Sequence, residues 1–257
     1  MSSVSLLPPD RVPNPLREPA RWRARSRRVL ARLVLAALLL LPLALYGYSR
    51  HHRGAAQPST VSEVRLVGPR GPARLGVDVL LDVSGSFAGY ASIRREALAD
   101  IMSWSGSNLR PDDELTVIAF YDHAVVQLPT TRVADLPGVG GLADVILDDD
   151  KTAIQPALRL TGRSVHRAIR QTVVVVTDTL VVDADRAAID TEMRRLGADT
   201  MTLIVPQGGQ VIADWARAFS YEQVVTADST SPGKTSLAIA HAIAHATGQG
   251  IQTVRTH

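Results

Sequence analysis

Hydrophobic and polar positions along this chain fall into three regimes. The first is an apolar run, "LVLAALLLLPLALYGY" from Leu33 to Tyr48, with no charge and no amphipathic period. With Val29 to Arg32 added it reaches about 20 residues, the length that crosses the hydrocarbon of a bilayer. Residues 29–49 are therefore expected to form a transmembrane signal anchor. Arg32 can snorkel to the headgroups, and Tyr46 and Tyr48 suit the far interface. The second regime, residues 50–73, is rich in Gly, Pro and polar residues ("HHRGAAQPST", "GPRGPAR") with weak periodicity, and reads as a stalk.

From residue 74 onward, short β-branched runs alternate with helical patterns. Strands are expected at "GVDVLLD", at "ELTVIAFYD" with "AVVQLPT" as a hairpin-like pair, and at "QTVVVVTD", "TMTLIVP" and "QVVTA". Helices are expected at "ASIRREALADIMSW", over most of "TAIQPALRLTGRSVHRAIR", and at "DADRAAIDTEMRRLG", "VIADWARAF" and "TSLAIAHAIAHATG". Strands interleaved with helices imply an α/β domain with a largely parallel sheet covered on both faces. The expected domain spans 74–250, with 251–257 as a tail.

Composition changes this picture in two ways. No cysteine occurs among the 257 residues, which excludes disulfides, thiolate metal sites and a cysteine nucleophile. The pI of about 9.6 suggests nucleic acid until the charges are located. Residues 1–32 hold eight arginines against Asp10 and Glu18, whereas residues 54–257 hold 18 basic and 23 acidic residues. The body is mildly acidic, so nucleic-acid binding loses its support. The arginines ahead of the apolar run place the N-terminus, with its basic disordered segment 1–28, in the cytoplasm and the domain outside it. The competing reading is a cleaved signal peptide ending near "RGAAQ" (53–57). Its charged leader would be unusually long, and "SRHHR" separates the apolar stretch from the small residues.

The candidate chemistry lies at two strand ends. "VDVLLDVSGSFAGY" (77–90) runs into Asp82, Ser84 and Ser86, and "QTVVVVTDT" ends in Asp178. In an open α/β sheet, ligands bind at the carboxyl ends of strands where the strand order reverses. With strand order 3-2-1-4-5-6, both carboxylates would face one crevice. Two carboxylates among hydroxyls, with no sulfur or imidazole, make a hard oxygen site that favours Mg²⁺, Mn²⁺ or Ca²⁺ over zinc.

These residues resemble a family. Asp82-Val-Ser84-Gly-Ser86 is similar to the Asp-x-Ser-x-Ser signature of the von Willebrand factor A domain, where it forms the metal-ion-dependent adhesion site. "TVIAFYDHAVVQLP" looks like that family's second and third strands, "KTAIQPAL" like its threonine-bearing loop, and "VVVVTD" like its fourth strand. The resemblance implies a doubly wound, mostly parallel six-stranded sheet with one antiparallel edge strand. It also implies five metal-site positions, Asp82, Ser84, Ser86, Thr152 and Asp178, holding Mg²⁺ (alternatively Mn²⁺ or Ca²⁺). The partner would be a protein supplying an Asp or Glu carboxylate, and the module would not be an enzyme. Lys151 and Thr179 stand where the family usually has glycine. Asp148, Asp149 and Asp150, just before Thr152, read as a solvated loop, with an intramolecular carboxylate ligand as the alternative.

Other patterns fail on inspection. "SPGKTS" (231–236) resembles the tail of a phosphate-binding loop, but Asp228 replaces its first glycine, so no nucleotide is expected. His241 and His245 share a helix face at metal-ligand spacing. Ala242 replaces the zincin glutamate, and a packed or solvated face is the expectation. Ser84 and Ser86 lack a nucleophile elbow. The remaining alternatives are a structural scaffold with a degenerate metal site and a metal-assisted hydrolase, the latter without an identifiable general base.

Overall fold

The computed structural model describes residues 58–138, 151–161, 169–206, 222–227 and 231–254. In chain order the elements are β1 (Val64–Val67), β2 (Arg74–Asp82), α1 (Ala91–Asn108), β3 (Glu114–Phe120), β4 (Ala124–Arg132), α2 (Gln155–Leu160), β5 (Ile169–Val176), α3 (Arg186–Leu196), β6 (Ala198–Pro206), β7 (Glu222–Ala227), α4 (Pro232–Thr247) and β8 (Gly250–Thr253). The expected transmembrane segment 29–49, the helix at "VIADWARAF" and Asp148 to Asp150 lie outside the described residues. Among those described, no helix is long and apolar enough to cross a membrane.

β2 is buried along its length except at Arg74, which suits a central strand covered on both faces. It pairs in parallel with β3 on one side and β5 on the other. The sheet order is β4-β3-β2-β5-β6-β7, with β4 antiparallel at one edge. Counted from β2, this is the expected 3-2-1-4-5-6. Side chains alternate across the strand. Leu75, Val77, Val79 and Leu81 enter a core with Leu98, Ile101 and Trp104 of α1 and with Ile239 and Ile243 of α4. Leu80 enters the opposite core with Leu158 of α2 and with Ile189 and Met193 of α3.

Local chemistry sets the helix ends. Asp185 caps α3 by accepting from the Ala188 amide at 2.8 Å, and Gly197 closes it at φ 62°. "SPGKTS" is the start of α4, with Ser231 at the cap and Pro232 in the first turn. His241 and His245 lie on the solvent side of that helix, and the partial desolvation of His241 against the helix surface lowers its pKa. α2 ends at Leu160, where Thr161 turns extended; of the rest of the expected helical stretch, residues 162–168 lie outside the described residues, and Ile169 and Arg170 belong to β5.

The stalk and tail boundaries need correcting. β1 lies inside the expected stalk 50–73 and β8 almost wholly inside the expected tail 251–257, yet they pair antiparallel from Val64↔Thr253 to Val67↔Gly250. Val61 and Val64 are buried, and Leu66 and Ile251 pack on the α1/α4 core. The Trp104 indole donates to the Val64 carbonyl at 2.8 Å, and Asn108 accepts from the Leu66 amide at 2.9 Å. Arg70, also in that stretch, forks onto buried Asp113 at 2.5 and 2.6 Å. Residues 58–73 are therefore part of the domain, because their apolar side chains have nowhere else to leave water.

Candidate functional site

β2 delivers Asp82 to its carboxyl end with the side chain fully buried. Oδ1 accepts from the Ser84 amide at 3.0 Å and from the Ser84 hydroxyl at 2.6 Å, while Oδ2 accepts from the Thr177 hydroxyl at 2.6 Å. Because the Ser84 proton points at the carboxylate, the 3.1 Å contact between the Ser84 and Ser86 hydroxyls has Ser86 as donor. Three of the roughly four acceptor positions of a carboxylate are thus filled. Burial pushes the Asp82 pKa up, the bonds from Ser84 and Thr177 pull it down, the Asp178 charge adds to the rise, and the net direction is upward.

Ser84 caps and Ser86 lies on a 3-10 turn, Gly85–Tyr90, whose position is fixed from α1. Buried Arg94 donates to the Phe87 carbonyl at 2.7 Å and lies 5.0 Å from that ring's centroid. Asp178 arrives from the neighbouring strand. Leu81 and Val176 are register partners, so Thr177 and Asp178 emerge beside Asp82. The order of the sheet reverses between these two strands, so the crevice is where the topology requires it.

Thr152 reaches the same rim through its backbone. The Ala153 amide donates to the Tyr121 carbonyl at 2.6 Å and the Val182 amide to the Thr152 carbonyl at 2.8 Å. Asp183 clamps the loop by accepting from the amides of Ile154 at 2.7 Å and Gln155 at 2.8 Å. Thr152 is buried and Lys151 exposed. Among the described residues, no hydrogen bond joins the Thr152 hydroxyl to the Asp82 cluster. The structure therefore bonds Asp82, Ser84 and Ser86 together, sets Asp178 within electrostatic reach, and ties Thr152 to the loop that follows Asp178.

Two contributors escape a sequence reading. Thr177 stands inside "VVVVTD", where a lone threonine ending a valine run passes as a strand residue. Asp183 precedes the Asp185 cap by two positions and looks like helix-start chemistry. The departure at Thr179 has a backbone consequence. It sits at φ 71°, the only non-glycine at positive φ among the described residues, a conformation that disfavours a β-branched side chain.

Among the described residues, no group of three or more carboxylate or imidazole side chains converges to hold a metal. The donor set is two carboxylates with three hydroxyls, all hard oxygens, which fits Mg²⁺, Mn²⁺ or Ca²⁺ by ligand type.

No protein-family model matches the chain, and no curated protein does. Solved structures do. The conserved hypothetical protein BatB from Bacteroides thetaiotaomicron is 19% identical over 68% of this chain and 99% of its own, with a TM-score of 0.50. Proximal thread matrix protein 1 from the mussel byssus, in a structure with a zinc-occupied MIDAS motif, is 16% identical over 74% of this chain and 49% of its own, with a TM-score of 0.51. A von Willebrand factor type A protein from Catenulispora acidiphila is 17% identical over 68% and 43%, with a TM-score of 0.50. The domain therefore has a von Willebrand factor A-like fold.

Proposed function

We propose that this chain is a membrane-tethered, extracytoplasmic module that binds a protein partner through a divalent cation, Mg²⁺ first among the candidates. The observation that carries this reading is the hydrogen-bonded set Asp82, Ser84, Ser86 and Thr177 at the switch point, beside Asp178. Asp82 accepts the hydrogen bond of the Ser84 hydroxyl and so turns that oxygen's lone pairs away from itself. Thr177 anchors the other carboxylate oxygen and fixes the rotamer. Ser86, Thr152 and Asp178 complete an oxygen surface with two formal negative charges, which one divalent ion neutralises. A bound cation would supply a Lewis-acidic position for the partner's Asp or Glu. Segment 29–49 would hold the module at the membrane, with residues 1–28 in the cytoplasm.

The test is a titration of the purified chain with Mg²⁺ and Mn²⁺, by calorimetry and thermal melting, beside Asp82→Ala. Saturable binding lost in the variant is the expected result. Stabilisation should grow with concentration, reaching about 2.7 kcal/mol at a hundredfold excess over Kd. A repeat with acetate covers a site that closes only around a carboxylate. Absence of binding in both experiments would overturn the proposal.

A further inference from the structure

Residues 179–182, after Asp178, run so that neighbouring side chains face opposite ways. Val181 turns inward and packs on the α2/α3 core. Leu180 and Val182 turn outward at 56% and 72% exposed, the two most exposed large apolar side chains among the described residues. This stretch is not slack. The Leu180 amide donates to Asp178 Oδ1 at 3.0 Å, the Val181 amide to the Thr179 carbonyl at 2.9 Å, and the Val182 amide to the Thr152 carbonyl at 2.8 Å. The hydrogen bonds hold both apolar side chains in water beside the two loop positions, Thr152 and Asp178, assigned to the cation.

We infer that Leu180 and Val182 are the apolar half of the partner-binding surface, and that the partner segment carries its Asp or Glu next to a large aliphatic side chain. This rests on the cation-dependent reading above. A carboxylate alone competes with water and with every other anion for a metal position, so it confers little selectivity. An aliphatic neighbour covering Leu180 and Val182 adds a hydrophobic contribution that a free anion lacks. A polar or charged neighbour there would lose water without gaining a partner.

The experiment uses the full chain in lipid nanodiscs with Mn²⁺ and two capped peptides, acetyl-Gly-Asp-Gly-amide and acetyl-Leu-Asp-Leu-amide, titrated by nuclear magnetic resonance. Both should bind only with Mn²⁺, the leucine peptide about tenfold more tightly, as partial burial of an aliphatic side chain warrants. The double variant Leu180→Ser, Val182→Ser should lose that preference while keeping its Mn²⁺ affinity and its affinity for the glycine peptide. Equal Mn²⁺-dependent binding of the two peptides to the native chain overturns this inference and leaves the cation reading standing. A preference that survives Asp82→Ala also overturns it, since apolar selection would then be independent of the site. Failure of Mn²⁺ to bind, with or without peptide, ends both.

Discussion

Asp78 lies four residues before Asp82, on the same face of the same strand, but deep in the sheet at 1% exposed. The Gln171 carboxamide donates to its Oδ2. Burial pushes its pKa from the ordinary 3.8 up to about 6, against hydrogen bonds from Gln171 and Thr116 that lower it and the Glu114 charge that adds to the rise. The folded chain thus holds this proton more tightly than the unfolded chain does. Between pH 3.8 and about 6 the native state carries the excess proton, so stability falls as pH rises through that window and is level above it. At about 1.4 kcal/mol per pH unit, the loss from this one group is about 3 kcal/mol. Asp78→Asn removes the titration and retains an acceptor for Gln171. Its amide can donate to the Thr116 hydroxyl, which in turn reaches Thr130 at 3.1 Å. Urea unfolding of both chains in half-unit steps from pH 4 to pH 8 should give similar stabilities at the acid end, with the variant ahead by about 3 kcal/mol at the alkaline end. A difference that stays constant across the series would refute the reasoning, because Asp78 would then ionise alike in both states.

Other consequences follow from particular contacts. Thr177→Val removes the donor to Asp82 Oδ2 and should cost about 1–3 kcal/mol in urea unfolding while weakening Mn²⁺ binding. Asp183→Ala frees the Ile154 and Gln155 amides and should lower Mn²⁺ affinity although Asp183 is no ligand; unchanged affinity would show that the clamp does not position Thr152. At Thr179, glycine should be more stable than alanine by about 1 kcal/mol in thermal melting, since only glycine takes positive φ without strain. The native chain lacks cysteine, so Ser62→Cys gives a single reporter. A membrane-impermeant maleimide should label it on intact cells if the domain is extracytoplasmic, and only after lysis if it is not.

Much of the sheet was legible from residue pattern alone. β2 is apolar from Leu75 to Leu81 except at Asp78, and β5 ends in four valines, because strands covered on both faces have no solvent side to alternate with. The hairpin-like spacing of β3 and β4 marked the antiparallel edge. Asp82, Ser84 and Ser86 were legible because their spacing follows a strand end directly, and Asp178 because it ends the neighbouring run. The rest depends on who meets whom across the fold. β1 and β8 are four-residue strands whose identity comes from each other and from Trp104, a pairing of the domain's two ends that no local window contains. Thr177 became part of the site only through the register of β5 against β2, which sets its hydroxyl on Asp82. Asp183 acts on Thr152 across a loop-to-loop contact, and Leu180 and Val182 face water because Val181 between them takes the place in the core. The sequence by itself determined the elements, their order and the oxygen-rich strand ends, since these rest on periodicity and residue chemistry. Only the tertiary structure decided the register, the closing of the domain by its ends and the direction each loop side chain faces, since these are set by burial shared between residues far apart in the chain.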